Sequence, residues 1–133
     1  MAERFEDWIL HRKVELAAID ELLRGPLSDE PEPLWRQVRD IEAHYGRAQF
    51  ILAQADAYLD MAESEAVKAL QSAPVKMTAY EKQLGVDAAV APVRESRDAV
   101  RGRVEAIKQR VMLGQSRMAY LRDLGAFNAE RRG

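Results

Sequence analysis

The stretch LWRQVRDIEAHYGRAQFILAQADAYLDMAESEA, residues 34–66, decides the fold class. Within it Leu34, Val38, Ile41, Tyr45, Ala48, Leu52, Ala55, Leu59, Ala62 and Ala66 follow one another at alternating steps of four and three. That is the heptad period at which apolar side chains line one seam of an α-helix. No proline interrupts the run before Pro74, so the pattern predicts one helix of roughly 38 residues, about 57 Å long. Four of the ten seam positions are alanine, which buries little area, so this helix requires a partner. Small seam residues also let the two axes come close.

The partner lies downstream. Val100, Val104, Ile107, Val111, Gly114, Met118 and Leu121 repeat the same four-three alternation, predicting a last helix from about Ala89 to Leu124. Between the two seams the break QSAPVK leads into MTAYEKQLGVD. There Thr78 and Glu81 have the spacing of a capping box, in which the hydroxyl accepts from a backbone N–H three residues on. A short helix ending near Gly85 is expected, with Asp87 capping the next and Pro92 in its first turn. Two long seamed helices joined by a short element most simply fold back as an antiparallel hairpin, although either seam could instead pair between copies.

Upstream, Phe5, Trp8, Ile9, Leu16, Ile19, Leu22 and Leu23 recur at helical spacing, predicting a helix from about Ala2 to Arg24 that Gly25 and Pro26 end. The following GPLSDEPEP holds three of the five prolines and reads as a linker or hinge. The expected architecture is all-α: an N-terminal helix over 1–25, a proline-rich linker over 26–33, and an elongated helical hairpin or coiled coil over 34–133, assembling as an oligomer.

Composition bounds the chemistry. The 133 residues carry 20 Lys+Arg against 22 Asp+Glu and no cysteine, which excludes disulfides, thiolate-bound zinc and cysteine nucleophiles. There is no phosphate-cradling glycine loop, no HExxH and no GxSxG. His11 and His44 each sit near acids, as solvated surface histidines often do. Asp60, Glu63 and Glu65 crowd one stretch of helix, but no second ligand-bearing segment accompanies them. No enzyme activity, metal or other cofactor is expected. The first residues lack the apolar run of a signal peptide, and no uncharged apolar stretch is long enough for a membrane span, so a cytoplasmic location without membrane contact is expected.

The charge is unevenly spread. From Arg94 to Gly133 there are ten bases against five acids. Arg94, Arg97, Arg101 and Lys108 lie on one helical stripe, with Arg103 and Arg110 on a line beside it. A stripe of this kind could track a phosphate backbone; equally, its arginines could pair with the acids of the rest of the chain. A second set, Lys68, Lys76 and Lys82 with Tyr80 among them, surrounds the break between the long helices. Ammonium groups beside an aromatic ring suit single-stranded nucleic acid, because a ring stacks on any base while the cations meet phosphates. Tyr80 could instead pack against the helix beside it.

Glu65-Ala66 to Leu70, then KMTAYEKQLGVD, then a basic helix closing in YLRDLGAFNAE resembles, over residues 40 to 130, phage recombination mediators of the UvsY type. The nearest local matches are Tyr80-Glu81-Lys82 and the ending Arg122 to Phe127. The resemblance implies a helical, oligomeric protein that binds single-stranded DNA and loads a RecA-like recombinase onto strands covered by single-strand-binding protein. It carries a DNA-contacting lysine over to Lys68 in Val67-Lys68-Ala69-Leu70, but the arginine that follows in the family's Lys-Ala-Arg motif is leucine here. The N-terminal helix would then dock a neighbouring subunit or the recombinase, or simply be the third helix of a bundle. The rival reading is a non-enzymatic coiled-coil scaffolding or adaptor protein of a phage assembly, whose charges set register and solubility alone.

Overall fold

The computed structural model describes residues 3–132, with the side chains of 126–128 and 130–132 outside the description. Ala126 and Phe127 of the ending that carries part of the resemblance fall in that set, as do Arg131 and Arg132. Four helices follow in order, α1 (Phe5–His11), α2 (Lys13–Leu22), α3 (Pro31–Gln71) and α4 (Ala79–Arg132), with no strand among the described residues. The all-α hairpin expected from the two seams is present. At 1.5 Å per residue α3 is about 61 Å long and α4 about 81 Å.

The register is visible where the helices nearly touch. Gly114 of α4 lies directly under Val38 of α3, and a Cβ on Gly85 would stand 3.1 Å from Leu70 Cδ1. Early α3 therefore meets late α4, and the end of α3 meets the start of α4. Leu34, Val38, Ile41, Ala48, Ala55 and Leu59 from one seam, and Val100, Val104 and Ile107 from the other, are buried. Ile51, one residue off the expected seam, is fully buried as well. It lies three residues after Ala48 and four before Ala55, so it widens the buried stripe of α3 in the same core.

The N-terminal helices lie along the hairpin. Trp8, Leu16 and Ile19 join the same core cluster as Val38, Ile51 and Val104. The Trp8 indole donates to Gln54 Oε1 at 3.2 Å, and Phe5, Trp8 and Tyr58 pack ring on ring with centroids 5.1 to 6.1 Å apart. Arg47 grips Glu15 with two 2.9 Å bonds, and Arg103 grips Asp20 at 2.8 and 3.1 Å. The single N-terminal helix expected divides at Arg12, whose N–H is shared between the carbonyls of Trp8 and Ile9. Arg12 itself keeps a backbone in the helical region, at φ -87 and ψ -8.

Gly25 adopts φ +79 just after α2, a left-handed conformation that glycine reaches without steric cost. The proline-rich segment beyond it is pinned to the hairpin. Leu27 is buried; the Ser28 N–H donates to Gln37 Oε1 at 2.7 Å; Arg117 donates to the Leu27 carbonyl at 2.7 Å; and Arg110 donates to the Gly25 carbonyl. The helix restarts at Pro31, earlier than expected, because a proline in the first turn has no intrahelical N–H bond to lose.

The separate short helix expected before Gly85 is absent, since α4 runs unbroken through Gly85 and Pro92. Thr78 does cap it, its Oγ1 accepting from the Glu81 N–H at 3.1 Å. Asp87 caps nothing and accepts instead from Gln83 at 3.0 Å and Arg94 at 3.5 Å. Packing overrides the local breaking signals here: Val86 and Val90 are buried with Leu59 in a second small core. Pro92 lies on the exposed side, where the Ala88 carbonyl that it deprives of a partner can meet water.

Candidate nucleic-acid interface

The end of α3, the turn over 72–78 and the start of α4 form the tip of the hairpin. Lys68 stands in the last turn of α3, where a cation suits the negative end of the helix dipole. Lys76 lies in the turn, and Tyr80 and Lys82 in the first turns of α4. All four are exposed, Tyr80 at 73%. Tyr80 therefore does not pack into the hairpin. None of the three lysines forms an ion pair among the described residues. Between Val67 and Leu84 the chain carries these three lysines against one acid, Glu81. Val67, Val75 and Leu84 are exposed beside them. A shallow groove of about 220 Å³ runs between the helices, lined by Val67, Leu70, Gln71, Ala79, Lys82, Gln83 and Val86. The small core of Leu59, Val86 and Val90 beneath holds the tip in shape.

The arginine stripe has a different setting. Arg94 lies 3.5 Å from Glu63 and from Asp87. Arg97 bridges Asp56 at 3.1 Å and Asp98 at 2.7 Å, with only 18% of its side chain exposed, and these bonds hold its pKa above the usual arginine value. Arg101 reaches Asp56 at 4.0 Å. On the opposite flank of α4, Arg103, Arg110 and Arg117 are engaged by α2 and the pinned segment. The basic excess of α4 thus faces carboxylates of α3 on one side and carboxylates and carbonyls of the N-terminal region on the other. This is the flank pairing that fixes register and orientation in coiled coils. Lys108 is exposed and makes no ion pair among the described residues.

The structure brings Lys68, Lys76, Tyr80 and Lys82 to one end and sets Arg94, Arg97 and Arg101 apart, along the side of the hairpin. It also shows a feature not anticipated from the sequence. Trp35 is 46% exposed near the other end of α3, with the Arg39 guanidinium 4.9 Å from its ring centroid. The spacing of Trp35 and Arg39, one helical turn apart, was the signal for it. Among the described residues no three His, Asp or Glu side chains gather to hold a metal, and Asp60, Glu63 and Glu65 form no such group. No described helix is long and apolar enough to cross a membrane.

Compared with protein-family models, curated proteins and solved structures, the chain matches none.

Proposed function

We propose that this protein is a non-enzymatic, homo-oligomeric recombination mediator that binds single-stranded DNA and helps load a RecA-like recombinase onto strands covered by single-strand-binding protein. The observation that carries the DNA-binding part is the contrast between two sets of cations. The tip lysines 68, 76 and 82 stand exposed beside Tyr80 and form no ion pair among the described residues, whereas Arg97 is held by Asp56 and Asp98, Arg94 lies 3.5 Å from Glu63 and Asp87, and the half-exposed Arg101 reaches Asp56 at 4.0 Å. Phosphates compete poorly for a guanidinium already paired, so the first contacts fall to the tip. Each copy offers about three ammonium groups and one ring, too few for tight binding alone. Assembly would place several tips along one strand and raise the effective concentration. The recombinase and the single-strand-binding protein come from the sequence resemblance.

One observation favours the scaffolding or adaptor reading: most of the basic helix is neutralised within the chain, as charges that only set register would be. The two readings separate in fluorescence anisotropy with an unstructured oligonucleotide across a salt series. A mediator binds at low salt and loses affinity steeply as salt rises. A scaffold shows no salt-sensitive binding.

A further inference from the structure

The tip holds more than cations on an open helix, because the groove among them has a floor, two walls and a charged rim. Leu70 and Val86 are the least exposed of its lining side chains and form the floor. Gly85 draws the helices together there, since a Cβ on it would stand 3.1 Å from Leu70 Cδ1. Val67 and Gln71, one turn apart, supply the α3 wall, and Ala79, Lys82 and Gln83 the α4 wall. At about 220 Å³ the groove is smaller than the roughly 300–1,000 Å³ of sites for drug-sized molecules, so it suits one ring system and not a whole nucleotide.

The polar groups are few and open to a ligand. Gln83 donates from Nε2 to Asp87 Oδ1 at 3.0 Å, which leaves its amide oxygen to accept. Gln71 makes no side-chain hydrogen bond among the described residues, so it offers both a donor and an acceptor. Lys82 lines the groove and Lys68 stands one turn before Gln71 on α3. Glu81, the single acid of this stretch, is not among the lining side chains.

We propose that this groove holds one nucleobase of the bound strand. The ring lies against Leu70 and Val86, its edge meets the amides of Gln71 and Gln83, and the adjoining phosphates meet Lys68 and Lys82. Amide side chains suit a base edge because they pair one donor with one acceptor. Tyr80 does not line the groove, so a base stacked on its ring is a different base of the same strand. Burying a base releases no counterions, so the groove adds affinity without steepening the dependence on salt. The inference rests on the DNA-binding reading above and adds to its phosphate contacts a slot that recognises the base itself.

Anisotropy titrations of the full-length protein with two strands of equal length test it, one made of thymidine nucleotides and one whose sugars carry no base. Ala79→Leu fills the groove from the α4 wall and leaves the lysines and Tyr80 in place. It should bind the thymidine strand about tenfold more weakly than the unaltered protein, with an unchanged salt slope and helix content. The strand without bases should be bound equally by both proteins. Should Ala79→Leu fail to fold, Gln71→Leu on the opposite wall decides by the same comparison. Equal losses on the two strands would mean a disturbed phosphate path and overturn the inference. So would an unchanged affinity for both, which would leave the groove to another ligand, such as an apolar side chain of a protein partner. In either case the DNA-binding claim survives as long as the unaltered protein binds the thymidine strand; binding of neither strand sinks both.

Discussion

Gly114 of α4 lies against Val38 of α3 so closely that any Cβ there would overlap the Val38 Cγ2 methyl. Val38 is itself buried and stiff at χ1, so it cannot turn aside. The missing side chain lets two helices of about 60 and 80 Å approach near one end, while the alanines at 48 and 55 do the same further along.

Gly114→Ala should therefore destabilise the fold, by about 1–3 kcal/mol, the usual range for overpacking a filled core. Gly102→Ala, also in α4 but facing open space, should do the reverse and stabilise by about 0.5–1 kcal/mol through helix propensity. Thermal melts of the two variants should move in opposite directions, and a gain in both would mean that the helices are not in this register.

Arg97 is the least exposed member of the stripe and joins Asp56 of α3 to Asp98 of its own helix. Arg97→Met keeps much of the stem and removes the charge. A loss of about 1 kcal/mol is expected, because both carboxylates remain partly solvated. The loss should shrink in high salt. A variant as stable as the parent in low salt would show that the pairing contributes nothing to register.

Acid should loosen the N-terminal helices. The hydrogen bonds from Arg47 hold Glu15 below its ordinary value of 4.5, and those from Arg103 hold Asp20 below 3.8. Both are depressed in the fold, so their stabilisation is present above those ordinary values and is lost as pH falls through the lower folded ones. In a Trp35→Phe background the buried Trp8 reports the detachment. Its emission should shift to the red below about pH 4, and Glu15→Gln with Asp20→Asn should flatten that shift. An unchanged profile in the double variant would remove these two pairs from the account.

The helical hairpin was legible because its determinant is periodic: ten seam positions in one helix and seven in the other survive any single local exception. The signals that misled were local ones. Gly85 and Pro92 read as breaks, yet burial of Val86 and Val90 against Leu59 carries the helix through both. The proline-rich segment read as a hinge because Arg110 and Arg117, which pin it, lie more than 80 residues away. Ile51 lies off the four-three alternation yet is fully buried, in a core to which Trp8, Leu16 and Ile19 of the N-terminal helices also contribute. The arginine stripe was visible as a stripe, but whether its charges were free or paired depended on which acids of α3 stood opposite. Residue spacing within one helix cannot show that. The tip lysines needed no such information, since a turn between two long helices is exposed wherever the helices pack.

The central claim is that single-stranded DNA meets the protein at the hairpin tip, and anisotropy titration of Lys68→Glu with Lys82→Glu, beside Arg94→Gln with Arg101→Gln, tests it most directly. In the same low-salt buffer the tip variant should lose most of its affinity while its oligomeric state and helix content stay unchanged. The slope of its log affinity against log salt should flatten by about 0.7 for each phosphate that a bound copy no longer neutralises. The arginine variant should bind nearly as the parent does. Full affinity in the tip variant, or no binding by the unaltered protein at low salt, would contradict the account.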